Sequence, residues 1–463
     1  MDNRIYTNSD LSADFVERLS LLIEEKKFSE LKALLADVQA PDLAGLLDEC
    51  EPKERTVIFR LLSKEHAAEA FAHLEPDSQR QLIESFTDAE LSAVLSELYI
   101  DDTVDIIEEM PAVVVKRIIK ATSREDRAAI NAILRYPKDS AGSVMTTEYV
   151  RFVGNITVDE ALAHIRRVAI DKETIYTCYV TDKDRHIIGI VTAKELLTSS
   201  LDTRLFDIMN EAVITANTHD SREQVARALE KYGFLAMPVV DNESRLVGIV
   251  TLDDAIDVLS EEFEEDVAKM AAITPTETPY LKTSVLDIFK SRVPWLLILM
   301  ISSTISSAIL TGFESVLPAV LVLFVPMIMG TGGNSGGQSS VTVTRSISLA
   351  EVEFSDLGRV FWKEFRVGAL CGVAVGVAAF AKVMFVDKLI MSNPAITTQV
   401  AVTVALSLAL TIIVAKLVGA VLPIFAKKIG LDPAVMASPL ITTLVDAVSL
   451  VVYFLIASSV LQI

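Results

Sequence analysis

Pro326-Met327-Ile328-Met329-Gly330-Thr331-Gly332-Gly333-Asn334-Ser335-Gly336-Gly337-Gln338-Ser339 lies in an apolar run at about 315–341, and its reading decides the class of fold. Five glycines within eight residues weaken a helix and let backbones approach closely. Four further apolar runs surround it, at about 293–311, 367–386, 395–426 and 434–461. Each is long enough to cross roughly 30 Å of hydrocarbon as a helix. Irregular backbone at that depth is tolerated only where protein or a water-filled path satisfies it. The carbonyls of this stretch, and the Asn334 and Gln338 amides, are therefore candidates to meet a hydrated cation. Tight helix packing through small residues is the plainer reading, and the two can occupy opposite faces.

The last run carries Asp432-Pro433-Ala434 and then Pro439-Leu440-Ile441-Thr442-Thr443-Leu444-Val445-Asp446-Ala447. Pro433 suits a first helical turn, with Asp432 able to cap it. At 1.5 Å per residue Asp446 falls about 18 Å beyond Ala434, near the middle of a bilayer. An ionised carboxylate there costs at least about 2.5–3.5 kcal/mol unless it faces water, a cation or a partner. Lys416, in the fourth run, reaches a similar depth. Either Asp446 holds an ion with Lys416 turned elsewhere, the reading we expect, or the two form a structural salt bridge.

Flanking charges orient the runs. Lys282, Lys290 and Arg292 precede the first; Arg345, Arg359, Lys363 and Arg366 separate the second from the third; Lys427 and Lys428 separate the fourth from the fifth. The alternate loops hold only Lys388. The positive-inside rule then puts the N-terminal side in the cytoplasm and the C-terminus outside.

Charge divides the chain. Residues 1–289 hold 55 of the 63 acidic and 31 of the 42 basic side chains, a net of −24, while 290–463 hold 8 and 11, a net of +3. Without a basic footprint, nucleic acid is excluded as a main partner. The acidic part would attract cations, and carboxylate oxygens are hard ligands suited to Mg²⁺ or Ca²⁺. Cys50, Cys178 and Cys371 are isolated, so neither a disulfide framework nor a zinc site is expected. The N-terminal stretch is polar, without an apolar signal segment. With no nucleophile–base set, no P-loop lysine and five scattered histidines, an enzyme is not expected.

Before the apolar runs, two repeats organise the acidic part. Helix starts at Pro52, Ser63, Pro76, Thr87, Ile100 and Pro111 recur every 24 residues in two interleaved series. Each unit is a short helix pair that must stack on its neighbours to bury an apolar face, which predicts an all-α superhelix over 1–135. Further on, Asp182-Lys183-Asp184-Arg185-His186-Ile187-Ile188-Gly189-Ile190-Val191-Thr192 recurs as Asp241-Asn242-Glu243-Ser244-Arg245-Leu246-Val247-Gly248-Ile249-Val250-Thr251. Each copy reads strand, polar turn, strand, helix, and Met145 and Met209 open the two copies.

This twofold signature resembles a tandem pair of CBS domains over 136–260, at about 140–200 and 205–260. The resemblance implies an adenine nucleotide such as ATP in the cleft between copies, held by Thr251 with Asp254 and Thr192 with Glu195. Glu195 departs from the usual Asp. A purely structural dimerisation module is the alternative.

A dense acidic run follows: Asp253, Asp254 and Asp257, then Glu261, Glu262, Glu264, Glu265 and Asp266. At helical spacing Asp254, Asp257, Glu261 and Glu265, with nearby Glu262, share a broad face. Asp101 and Asp105 sit one turn apart in the superhelix. A charge run usually means a solvated surface. The alternative is that these carboxylates repel one another until divalent cations bridge them.

Superhelix, CBS pair, linking helix at 255–285 and a five-helix membrane part at 286–463, in that order, resemble the MgtE family of bacterial Mg²⁺ channels. The most specific matches are Gly330–Gln338 and the Asp432 and Asp446 stretches of the last run. The resemblance implies a homodimer in the lipid bilayer of the inner membrane, with Mg²⁺ at Asp446 in a pore between subunits. It also implies a helix at about 255–273 that plugs the cytoplasmic mouth when Mg²⁺ is abundant. Asn334, Asp432, Asp101, Asp105, Glu223, Asp254, Asp257, Glu261, Glu262, Glu265 and Asp266 complete the expected metal ligands. Gly233 stands where family members can carry an acidic ligand. Rival readings are an exchanger coupling Mg²⁺ to Na⁺ or H⁺, and a nucleotide-sensing membrane scaffold without transport.

Overall fold

The computed structural model describes residues 13–276, 280–313, 318–435 and 438–462. The start of the expected superhelix, part of the linker and residues 315–317 of the second apolar run lie outside these. The chain divides into two compact units, Met1–Ser260 and Glu261–Ile463.

In the first unit, the expected starts are the observed ones. Pro52–Phe59, Pro76–Ser85 and Ile100–Glu109 begin helices, the first two with Pro at the first turn, where a missing N–H is harmless. Between them run Lys64–Ala72, Asp88–Leu95 and Ala112–Ala121. The Ser63 and Thr87 hydroxyls accept the His66 and Glu90 N–H groups, so each caps its helix. Stacking alternates. Ala40–Glu49, Lys64–Ala72, Asp88–Leu95 and Ala112–Ala121 form one layer, while Pro52–Phe59, Pro76–Ser85 and Ile100–Glu109 form the other. Phe59, Phe71 and Phe86 meet at the seam between layers.

Two three-stranded sheets follow. Strands β1 (Tyr149–Val153), β2 (Thr174–Thr181) and β3 (Ile187–Thr192) pair in that order, parallel and then antiparallel. Strands β4 (Ala216–Asn217), β5 (Ala236–Val240) and β6 (Leu246–Thr251) repeat the pattern. The copies exchange their opening residues. A Cβ on Gly248 would meet Met145 Sδ at 2.6 Å, and one on Gly189 would meet Met209 Sδ at 2.7 Å. The glycine of each G-I-V-T motif is thus the seat for the other copy's methionine.

Helix Leu252–Met270 follows β6 directly, three residues earlier than expected. The Thr251 hydroxyl donates to Asp254 Oδ2 at 2.5 Å, which fixes its first turn.

Among the described residues, the second unit holds five helices long and apolar enough to cross a membrane: Val285–Phe313, Ala319–Ser348, Phe354–Ile390, Thr398–Lys428 and Pro439–Leu461. Several outrun their apolar cores, because charged turns outside hydrocarbon can continue a helix. The third closes in a π-helical segment, Val383–Ile390, where Lys382 holds the buried Asp387 at 2.7 Å. Glycines set the packing. A Cβ on Gly419 would fall 2.2 Å from the Gly336 carbonyl oxygen, and one on Gly372 would fall 2.6 Å from that of Ala409. No side chain fits at either crossing.

Candidate ion path and carboxylate clusters

The glycine-rich stretch is helical throughout, within Val325–Ser348. Gly332, Gly333 and Gly336 are buried against the fourth and fifth helices and Gly337 is buried too, whereas Gly330, Asn334, Gln338, Thr342 and Arg345 are exposed. At three- and four-residue spacing these five form one stripe facing away from the unit's own helices. Close packing thus occupies one face and polar groups the other, but the expected irregular backbone is not found: the stretch is a continuous helix, so its carbonyls are taken by the helix's own hydrogen bonds and only the side-chain amides are left as candidates.

Asp446 lies at the edge of the packed face. Its Oδ1 would sit 3.2 Å from a Cβ on Gly333, and that oxygen is buried with no hydrogen-bond partner. Lys416 turns elsewhere. Its Nζ donates to Ser339 Oγ at 3.4 Å, and it makes no ion pair with Asp446. One turn beyond Asp446, the buried Ser449 hydroxyl lacks a partner, as do those of Thr411 and Ser407. Ser449 and Thr411 converge on the space that Gly332 leaves open. Other helical hydroxyls here, such as Thr403 and Thr443, donate to the carbonyl four residues back.

Asp432 is engaged differently from the expected open ligand. Its Oδ1 accepts the Ala434 N–H at 2.8 Å, and its Oδ2 meets Lys269 Nζ at 2.7 Å. The same ammonium meets Glu265 at 2.5 Å, and Asp266 accepts from the Ser348 hydroxyl at 3.1 Å. A lysine thus ties the last turn of helix Leu252–Met270 to the entrance of the fifth helix. Glu261 and Glu262 lie farther up that helix. Glu223 is held by Arg227 at 2.8 Å, an ordinary ion pair one turn apart.

Within the first unit, Asp101 lies near enough to Asp254, Glu173, Asp102 and Glu148 to feel their charge, and Asp253 acts on Glu173 and Asp254 in the same way, although among the described residues no three acidic, histidine or cysteine side chains stand close enough together to hold one metal ion. Asp101 is buried with Oδ1 unpartnered, and Glu173 Oε2 is likewise buried and unpartnered. Burial, reinforced by Asp254 and Glu173, raises the Asp101 carboxyl well above its usual range. Burial, with repulsion from Asp254 and Asp102, pushes Glu173 up to about 8. Asp254 rises for the same first reason, although Thr251 opposes it. Partial desolvation, with the charge of Asp253, also raises Asp257, whose side chain is largely exposed; Asp105 is exposed as well.

Sequence reading missed Glu148, Glu173 and Lys269. Glu148 and Glu173 flank β1 and β2 and reach the cluster only through the sheet, although two acids beside paired parallel strands were a usable signal. Lys269 was a lone cation four residues past Glu265, the spacing of a helical ion pair.

The CBS pair holds a cleft of about 400 Å³ lined by Tyr176, Thr192, Lys194, Asn210, Phe234 and Pro238 among others. Thr192 and Glu195 cap each other reciprocally, with Thr192 N–H donating to Glu195 at 2.7 Å. Thr251 and Asp254 belong to the acidic cluster, not to this cleft's lining. Gly233 also lines the cleft and ends helix Arg222–Tyr232 at φ +66°, a backbone requirement that accounts for glycine there.

A bundle of membrane-length helices around one buried, unpartnered carboxylate, joined to an acidic half, has the features of a membrane cation transporter. Family comparisons are specific. The MgtE divalent cation transporter profile matches residues 325–456, the MgtE intracellular N domain matches 38–139, and CBS domains match 141–202 and 205–261. The chain belongs to the MgtE family. The magnesium transporter MgtE of Thermus thermophilus is 37% identical over 95% of this chain and 97% of its own length. That of Bacillus subtilis is 31% identical over 96% and 97%. Among solved structures, the cytosolic domain of the Mg²⁺ channel MgtE in complex with ATP matches at 36% identity and TM-score 0.50, covering 52% of this chain and 99% of that one.

Proposed function

We propose that this chain is a homodimeric Mg²⁺ channel that imports Mg²⁺ across a bacterial inner membrane and is closed by Mg²⁺ on its acidic cytoplasmic part. The observation that carries the reading is Asp446, with a buried, unpartnered oxygen beside Gly333. A carboxylate at that depth needs a cation or water. The exposed Asn334–Gln338 stripe supports the dimer, since amides at membrane depth are poorly matched to lipid and well matched to a wet interface between two copies. Lys290, Arg292, Arg345, Arg359, Lys363, Arg366, Lys427 and Lys428 support a cytoplasmic N-terminus and an external C-terminus.

Asp101, Asp254, Glu173 and their neighbours serve as the sensor: Mg²⁺ bound only to the compact state shifts the population toward it. Asp105 and Asp257 extend the sensing surface of the first unit; in the second, Glu261 and Glu262 are further Mg²⁺ ligands, Lys269 fastens Glu265 to Asp432, and Asp266 engages Ser348 at the mouth. ATP in the Thr192-lined cleft is a second ligand, supported by the ATP complex of the related cytosolic domain. A passive channel is favoured over a coupled exchanger because Lys416, the group best suited to coupling at Asp446, is bonded to Ser339 instead.

Uptake of Mg²⁺ into proteoliposomes, with membrane potential and Na⁺ varied independently, tests the reading. Wild type should follow potential without needing a Na⁺ or proton gradient, and Asp446→Asn should lose nearly all flux while inserting normally. Wild-type flux in that variant refutes the ion site.

A further inference from the structure

Lys416 is 6% exposed, a formal positive charge inside the same bundle as Asp446. Its ammonium donates to Ser339 Oγ at 3.4 Å, and the Ser339 hydroxyl donates its single proton to Glu364 Oε2 at 2.6 Å. An ammonium can only donate and an ionised carboxylate can only accept. One hydroxyl between them therefore has its direction fixed, and the three groups form a charge-separated relay across three helices. The glycine crossings bring those helices within reach. Gly336 and Gly419 meet one turn from Ser339 and Lys416, and a Cβ on Gly368, one turn past Glu364, would lie 3.1 Å from Ile413 Cα.

We propose that Glu364, acting through Ser339, is the counter-charge that cancels Lys416 and so sets the affinity of the ion path for divalent cations. The inference rests on Asp446 as the ion site. Asp446 lies against Gly333, and Ser339 is six residues farther along that helix, roughly 9 Å at 1.5 Å per residue. An uncompensated ammonium at that range repels a divalent ion twice as strongly as a monovalent one. With Glu364 ionised, Lys416 becomes one end of a short dipole, and Asp446 keeps its field. Glu364 is a positioning and compensating residue, not an ion ligand.

The test is the Mg²⁺ dependence of uptake by full-length protein in proteoliposomes, with half-saturation and maximal rate read separately. Glu364→Gln should raise the half-saturating Mg²⁺ concentration by roughly tenfold or more, with a smaller change in maximal rate. Lys416→Met should lower it. The double variant should return to within about threefold of wild type, because the two effects are coupled through one relay. A role in packing alone predicts lost yield in each variant with half-saturation unmoved, which overturns the proposal. If Glu364→Gln fails to fold, Lys416→Met decides, and wild-type half-saturation in it refutes the compensation. Asp446→Asn, run alongside, separates the two claims. Loss of flux there with unaltered Glu364→Gln sinks only the counter-charge, and retained flux sinks the ion site itself.

Discussion

Glu173→Gln gives the sharpest reading of the carboxylate cluster. Its carboxyl lies at about 8 in the folded protein against an ordinary 4.5, chiefly through burial and then repulsion by Asp254 and Asp102. A folded-state value raised this way favours the folded state fully below pH 4.5, and that advantage is lost as pH rises toward 8. The whole shift corresponds to roughly 4–5 kcal/mol at about 1.4 kcal/mol per unit. Because the side chain is only half-buried, solvent screening reduces this to about 2 kcal/mol. In metal-free buffer, Glu173→Gln should therefore stabilise the acidic half by about 2 kcal/mol at pH 8 and by almost nothing at pH 4.5, roughly 4–8 °C in Tm at the higher pH. Thermal unfolding in EDTA at the two pH values reads this directly. Added Mg²⁺ should raise the wild-type Tm strongly at pH 8 and weakly near pH 5, since the ion replaces protons at the same oxygens. A wild-type Tm that does not fall between pH 5 and 8 without metal refutes the argument, as does a variant whose Tm falls as steeply.

Two further outcomes follow from contacts in the second unit. Lys269→Met removes the ammonium between Glu265 and Asp432, so helix Leu252–Met270 should be cleaved faster by protease at intermediate Mg²⁺, and more Mg²⁺ should be needed to stop uptake; unchanged cleavage would make the contact incidental. Gly419→Ala puts a methyl 2.2 Å from the Gly336 carbonyl oxygen, and the forced separation should destabilise the bundle by about 2 kcal/mol or more, read as a lower Tm in detergent; wild-type Tm would mean the crossing is loose.

What the sequence discloses here depends on how far apart the cooperating residues are. The superhelix was legible because capping chemistry is local: Pro52, Ser63, Pro76 and Thr87 each mark a start without help from elsewhere. The membrane helices were legible because length and hydropathy alone define them. Depth along a helix was also readable, which is why Asp446 and Lys416 could be set at one level. That Lys416 turns away from Asp446 was the expected reading, but the group it meets instead was not legible, since azimuth depends on which glycines two helices share. Gly336 against Gly419 decides it, and turns Lys416 toward Ser339. The acidic cluster was half visible for a related reason. Asp101 and Asp254 sit in runs of acids, whereas Glu148 and Glu173 are single residues that only the pairing of β1 with β2 delivers to the same place. The Thr192–Glu195 pair carried a legible second meaning, because Thr-x-x-Glu before a helix is a capping box.

The exchange of Met145 and Met209 between the two sheets bears on how such a protein can be inherited. Each G-I-V-T motif is sealed by a residue encoded ahead of the opposite copy, so a single copy released alone would present an empty glycine seat and an orphaned thioether. Separating the two copies would break both seats at once, so the pair, not the single copy, is expected to be the unit that is gained, lost or moved between genes.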